Sequence, residues 1–297
     1  MSDLKIGMIG LDTSHCPAFA NLLNNASDPH HVPGGKVLYA YPGGSPQMAL
    51  SRDRVEGITA RMRDEFGVEI LDSIEAVAER SDAILLESVD GRTHLEEFRR
   101  LAPFGKPVFI DKPLTTSTQE AREIFELAKR HGSPVFSASS LRYAAGLAEA
   151  SAGRRVLGAE VHGPNAILSD FPGMFWYGIH SAEILYAHMG RGCRSVQVHS
   201  TPIADVVVGQ WEDGRLGVVY GYRIEKVGGF GATLFTAEGV VQASAASQPP
   251  GYALLLQKVM EFFRTGRSPV DDEESIEVIR FLEAANESKE TGRSVAL

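Results

Sequence analysis

Lys112 is the residue in this chain whose type and setting could most directly do chemistry. It lies in the stretch GKPVFIDKPLTTSTQEA, where Asp111, Lys112 and Pro113 follow a buried apolar run and precede a helical pattern. In open α/β sheets, ligands collect at that edge. A lysine there can hydrogen-bond a hydroxyl or carbonyl or, with its pKa lowered by partial desolvation, exchange a proton with it. A lysine that only decorates a surface loop is the structural alternative. The second candidate opens the chain. KIGMIGLDTSHCPAF reads as a strand turning at Gly10 into a helix, the layout in which backbone amides and a helix N-terminus meet a phosphate. The spacing of G-x-G-x-x-G is kept, but Asp12 and His15 stand where its second and third glycines belong. A carboxylate close to a dianionic group costs on the order of 1 to 4 kcal/mol, depending on local dielectric. Asp12 can instead cap the helix with its side chain turned inward, leaving Thr13 and Ser14 as hydroxyl donors.

These residues need a scaffold, and the sequence pattern supplies one. Short apolar runs at Ile6-Ile9, Val37-Tyr41, Ala83-Leu86, Val108-Ile110 and Val135-Ala138 alternate with helical periods. That alternation argues for a parallel sheet covered on both faces. Thr93 with Glu96, and Ser117 with Glu120, fit the capping-box spacing and mark two helix starts. Near residue 139 the texture changes. From Val156 the chain is mostly β-prone, at Val156-Val161, Val196-Val198, Ala204-Trp211, Leu216-Tyr222 and Ala232-Thr236, with Asp213-Gly214 as a hairpin signal. One helix, His180 to Met189, interrupts these runs, and a last one follows Asp271-Asp272-Glu273-Glu274, with Ile276, Ile279, Leu282 and Ala285 on one face. The expected fold is therefore α/β, with a doubly wound parallel sheet over residues 1–138. Residues 139–297 form an α+β domain with an open, mostly antiparallel sheet.

Composition narrows the partners. The chain has 297 residues and a formal net charge of -9, with both signs interspersed. That balance argues against nucleic acid and against an anionic membrane surface. The two cysteines, Cys16 and Cys193, form no ligand cluster and suit a reducing compartment. His30, His31, His162, His188 and His199 show no metal-ligand spacing with Asp, Glu or Cys, so no metal is expected. The start at Ser2-Asp3 runs straight into the first strand, and no apolar stretch reaches membrane-spanning length. A cytoplasmic location is expected.

GKPVFIDKPL followed by TSTQEAREIFELAKRHG resembles the Glu-Lys-Pro segment of the glucose-fructose oxidoreductase, inositol dehydrogenase and rhizopine catabolism family (Gfo/Idh/MocA), with Asp111 in place of glutamate. VDGRTHLEEFRRLAPFGKPV is similar to the family's preceding helix, SSLRYAAG to its interdomain link, and YGIHSAEILYAHMG to its Gly-x-His helix. SPVDDEESIEVIRFLEAANESKETGRSVAL is similar to its C-terminal segment. The resemblance implies an N-terminal Rossmann domain binding NAD or NADP and a C-terminal domain that carries a small sugar- or polyol-like substrate. It implies hydride transfer between nicotinamide and a hydroxyl or carbonyl group, in a homodimer or homotetramer. Lys112 and His180 map onto the family's catalytic lysine and histidine; an imidazole titrating near neutrality suits removal of a hydroxyl proton. Gly10, Leu11, Asp12, Thr13, Ser14 and His15 map onto the dinucleotide turn, and Glu87, Ser88 and Asp111 onto the nicotinamide side, with His94 nearby.

The sequence departs from the family at Trp176, where many members place an aspartate. Trp176 and Tyr177 suggest a sugar-stacking wall, with Arg142 and Glu183 as further substrate contacts. Glu183, one turn after His180, is a candidate to polarise it. The second strand ends without an acid for a ribose diol, while Ser45 with Arg52 or Arg54 could suit a 2′-phosphate. A non-redox enzyme, such as a lyase, isomerase or hydrolase, and a ligand-binding protein with weakened dinucleotide binding remain alternative readings of the same scaffold.

Overall fold

The computed structural model describes residues 3–224, 228–246 and 248–297. Within them the chain forms two units. The first runs to Thr115 and takes in Gln119–Ala138 and, late in the chain, Tyr252–Asp271. The second holds Thr116–Thr118, Ser139–Gly251 and Asp272–Leu297. A single boundary at 138/139 does not contain that late return of the chain to the first unit.

The first unit begins β1 (Leu4–Ile9), α1 (His15–Asn24), β2 (Gly35–Tyr41), α2 (Ala49–Phe66), β3 (Glu69–Ile70) and α3 (Ile74–Arg80). It continues with β4 (Ala83–Leu86), α4 (His94–Leu101), β5 (Val108–Ile110), α5 (Thr118–His131) and β6 (Val135–Phe136). The strands are all parallel, in the order β3-β2-β1-β4-β5-β6, which is the doubly wound order expected from the alternating pattern. Every residue of β4 and β5 is buried, because helices on both faces leave neither side to water.

The expected box at Thr93 and Glu96 does not form. Thr93 makes no cap; its hydroxyl lies 2.9 Å from Asp90 O and 3.0 Å from Glu97 Oε2. Glu120 is met by the Thr115 hydroxyl. A side-chain cap forms on α3, where Ser73 Oγ accepts from Ala76 N at 3.1 Å. Spacing identifies residue types that can cap, but neighbouring loops compete for the same oxygens.

The second unit has a short α6 (Ala145–Ala148), then β7 (Val156–Pro164), α7 (Gly178–Met189), β8 (Cys193–Ser200), β9 (Ala204–Trp211), β10 (Leu216–Tyr222), β11 (Gly231–Thr236) and β12 (Gly239–Ser244). Helix α8 (Gly251–Thr265) then belongs to the first unit from Tyr252 onward. Helix α9 (Asp272–Thr291) and β13 (Val295–Ala296) complete the second unit. The second sheet is ordered β12-β11-β7-β10-β9-β8-β13, and its one parallel pair is β7 with β10. The Asp213-Gly214 turn forms as expected, with Trp211 N donating to Arg215 O at 2.9 Å. Helices α7 and α9 bury alternate residues such as Val207, Val219 and Leu234, whereas Leu216, Tyr220, Phe235 and Val240 stay exposed.

Helix α8 and strands β3, β12 and β13 have no counterpart in the sequence reading. In α8, Phe262 is fully buried and its ring lies 5.6 Å from Phe136, which lies 5.3 Å from Phe109. These edge-on aromatic contacts tie the late helix to β5 and β6.

Candidate active site

In the first unit, three loops meet at the C-terminal edge of β1, β4 and β5. Gly10 turns with φ +83, and a Cβ there would lie 2.3 Å from Ser88 Oγ. Only glycine lets β1 turn this close to the loop after β4. Asp12 is fully buried and does not cap α1. Its carboxylate accepts from Ser51 Oγ at 2.6 Å and from Val89 N at 2.9 Å, so it joins the first turn to α2 and to the loop after β4. Burial raises its pKa against the lowering by these donors.

The loop after β2 is drawn into the same network. Ser45 donates from its hydroxyl to Asp90 Oδ2 at 2.6 Å and from its amide to Ser51 Oγ at 2.7 Å. Asp90 in turn holds Arg92. Ser45 is therefore turned inward, and Arg52 donates to Pro46 O at 2.7 Å. Of the set expected to meet a 2′-phosphate, Ser45 and Arg52 are engaged by the protein's own groups, while Arg54 is exposed. His94 is likewise structural, with its ring nitrogens 3.0 Å from Leu114 O and 2.8 Å from Ser88 O.

Beside this network, His15 Nδ1 lies 2.8 Å from Asp111 Oδ2 and 3.9 Å from Glu87 Oε2. Glu87 is fully buried, and neither of its oxygens has a hydrogen-bond partner. Burial, reinforced by the Asp111 charge, pushes its pKa well up, while Lys112 opposes the rise. At Asp111 burial also acts upward, but the His15 and Lys112 charges outweigh it and hold the carboxyl low. Lys112 is only 8% exposed, so it is not a surface lysine. It shares its edge of the sheet with two buried carboxylates.

The second unit carries the other predicted group. His180 lies in the first turn of α7, with Nδ1 2.6 Å from Ser139 Oγ. Its ring packs edge-on to Tyr177 at 5.8 Å and to Phe230 at 5.5 Å, and Trp176 stands 5.9 Å from Tyr177. The polarising partner expected in Glu183 is Ser139 instead. Glu183 Oε2 accepts from Arg142 Nε at 2.6 Å, and Arg142 Nη2 lies 2.7 Å from Glu274 Oε1. Burial raises the Glu183 pKa and the Arg142 charge counters it. Ser139, Phe230 and Glu274 were not singled out from sequence: they lie 41, 50 and 91 residues from His180 or Glu183, counted from residue numbers, beyond any local spacing rule.

Each unit thus presents part of the expected set. Gly10, Leu11, Asp12, Thr13, Ser14, His15, Glu87, Ser88, Asp111 and Lys112 belong to the first; Arg142, Trp176, Tyr177, His180 and Glu183 belong to the second.

Residues 4–139 match the Gfo/Idh/MocA family, described as an oxidoreductase family with an NAD-binding Rossmann fold. No curated protein matches the chain in sequence. Among solved structures, GenD2 from gentamicin A biosynthesis, in complex with NAD, is similar with a TM-score of 0.80 and 17% identity, covering 100% of this chain and 97% of its own. A probable dehydrogenase from Thermotoga maritima gives 0.77 and 21%, covering 99% and 98%. Myo-inositol dehydrogenase from Lactobacillus casei, in complex with NAD(H) and myo-inositol, gives 0.77 and 14%, covering 99% and 97%. At these identities the likeness establishes the fold over the whole chain.

Proposed function

We propose, for a chain whose residues 4–139 match the Gfo/Idh/MocA oxidoreductase family with its NAD-binding Rossmann fold, that it is an NAD(P)-dependent oxidoreductase acting on a CH–OH group of a sugar, polyol or related small molecule. The observation that carries this reading is the near-complete burial of Lys112 at the C-terminal edge of the doubly wound sheet. An ammonium is kept there at the cost of its hydration, which a positioning or proton-exchanging role explains.

The dinucleotide would be held by Gly10, Leu11, Asp12, Thr13, Ser14 and His15, with Glu87, Ser88 and Asp111 on the nicotinamide side. Two features support the fit. Gly10 brings the turn against the loop after β4, where a Cβ would lie 2.3 Å from Ser88 Oγ, and the Asp12 carboxylate is engaged inward by Ser51 and Val89, which takes its charge off the phosphate side of the turn. With Ser45 committed to Asp90, the reading favours NAD over NADP. When bound, the cofactor supplies the hydride acceptor or donor.

The chain's own residues do the rest. Lys112 orients the reacting hydroxyl by donating to its oxygen. His180, positioned by Ser139 Oγ 2.6 Å from its Nδ1, accepts the hydroxyl proton. Trp176 and Tyr177 form an apolar wall for a sugar face. Arg142, held by Glu183 and Glu274, fixes the helix that carries His180. The exposed apolar face of the second sheet, with Leu216, Tyr220, Phe235 and Val240, suits a second copy of the chain in a homodimer or homotetramer. The free thiols of Cys16 and Cys193 suit the cytoplasm.

Titration of the protein with NAD+, NADH, NADP+ and NADPH, followed by tryptophan quenching and thermal shift, tests the reading. Saturable micromolar binding, tighter for the NAD pair, is expected; silence from all four overturns it. Lys112→Ala should then lower turnover by about 100-fold or more with nucleotide binding retained, and full activity in that variant removes Lys112 from the mechanism.

A further inference from the structure

His15, Glu87 and Asp111 come from three separate segments: the start of α1, the loop after β4 and the loop after β5. Each offers one ligand atom, and the three atoms lie within 4.8 Å of one another. Two ligands at about 2.1 Å from a common cation stand roughly 3 to 3.5 Å apart. His15 and Asp111, at 2.8 Å, are already near that spacing, and His15 and Glu87, at 3.9 Å, need a shift of less than an ångström by that rough measure. The imidazole is oriented in advance, stacked on Phe19 at 5.5 Å and held edge-on by Tyr252 at 5.0 Å.

Glu87 is the independent sign that something is to be bound. Its side chain is fully inaccessible, and neither oxygen has a hydrogen-bond partner, so its ionised form is unfavourable unless a cation compensates it. Lys112 is the nearby cation, yet Asp12, Glu87 and Asp111 all lie buried at the same edge. One ammonium facing three carboxyl groups leaves room for more positive charge.

We propose that His15, Glu87 and Asp111 bind a divalent first-row cation of the Mn2+ or Zn2+ type, for which one imidazole nitrogen and two carboxylate oxygens are the suited donors. Mg2+, which prefers all-oxygen ligation and keeps its waters, is a poor fit. The site shares His15, Glu87 and Asp111 with the proposed dinucleotide cradle, but its uptake of metal is measured without dinucleotide, so the two readings fail separately.

The test uses the full-length protein stripped with EDTA and dialysed. MnCl2, ZnCl2 and MgCl2 are titrated with metal analysis after equilibrium dialysis, and Mn2+ is also followed by electron spin echo spectroscopy. The expected result is about one equivalent of Mn2+ or Zn2+ per chain, nitrogen modulation of the Mn2+ echo from His15, and at least 100-fold weaker binding in Glu87→Gln and His15→Gln. No saturable uptake by the wild type, or uptake without nitrogen modulation, overturns the proposal. So does uptake that both variants retain unchanged. The echo measurement needs only the wild type, so the proposal stays open to refutation even where a variant does not fold. Loss of nucleotide binding with metal binding intact would strike the function reading alone.

Discussion

Asp12 shows how one residue can break a motif and still be built into the fold. It stands where the dinucleotide fingerprint wants a glycine, yet both oxygens are spent on Ser51 and on the amide of Val89. Restoring the glycine should therefore harm the protein. Asp12→Gly is expected to lower stability by about 1 to 3 kcal/mol, from a buried hydroxyl and a buried amide left unpaired, with no gain in NAD affinity; urea melts and nucleotide titration check both parts. Arg142 makes the same point with charge. It is clamped between Glu183 and Glu274, so Arg142→Met leaves two carboxylates buried without their cation. A loss of about 3 to 5 kcal/mol is expected in chemical denaturation. Lys112 and His180 were legible as candidates through their place in a family pattern. The partner of His180 was not, because Ser139 reaches it through the tertiary fold, while Glu183, near in sequence, is drawn away by a stronger charge.

At the scale of elements, parallel strands were readable because burial on both faces writes continuous apolar runs such as Ala83-Leu86 and Val108-Ile110. The antiparallel strands were readable for a related reason: β9 and β10 fall at Ala204–Trp211 and Leu216–Tyr222, as their patterns predicted. Helix starts were harder, since the Thr93 hydroxyl bonds to Asp90 O and Glu97 in preference to the box expected of it. Helix α8 is the largest element missing from the sequence reading. Its contribution is measurable: Phe262→Ala removes a fully buried ring packed on Phe136 and is expected to cost about 3 to 5 kcal/mol. A loss below 1 kcal/mol in urea denaturation would mean that α8 adds little to the sheet it covers.

For the molecule as a whole, composition excluded partners better than it named one. The acidic balance of the chain set nucleic acid aside, and no described helix is long and apolar enough to cross a membrane. Dependence of stability on pH is also a property of the whole chain, and one group gives it a sign. His188 is buried, with Nδ1 3.0 Å from Ser151 Oγ and Nε2 unpartnered. Burial first, and then the Arg142 charge, lower its pKa from 6.5 to about 4; Arg154, Arg155 and Arg215 line the adjoining cavity with Asp213, so its surroundings are net positive. The unfolded chain takes up a proton below about pH 6.5 that the folded chain refuses until about pH 4. Stability is therefore full above the higher value and falls as pH drops between the two, by about 3 kcal/mol in all and about 2 kcal/mol by pH 5. Denaturation at pH 7.5 and pH 5 should show this loss in the wild type, and His188→Gln should reduce it.

The sequence by itself determined the two kinds of sheet, the strand-turn-helix opening at Gly10 and the candidate pair Lys112 and His180. Hydrophobic period and turn chemistry are local properties, written within a few residues of where they act. Tertiary structure alone decided that Asp12 turns inward, that Ser139 meets His180, that Arg142 serves two carboxylates, and that His15, Glu87 and Asp111 gather at one sheet edge. Those outcomes depend on which segments become neighbours and which charges burial forces together, and no spacing along the chain records that.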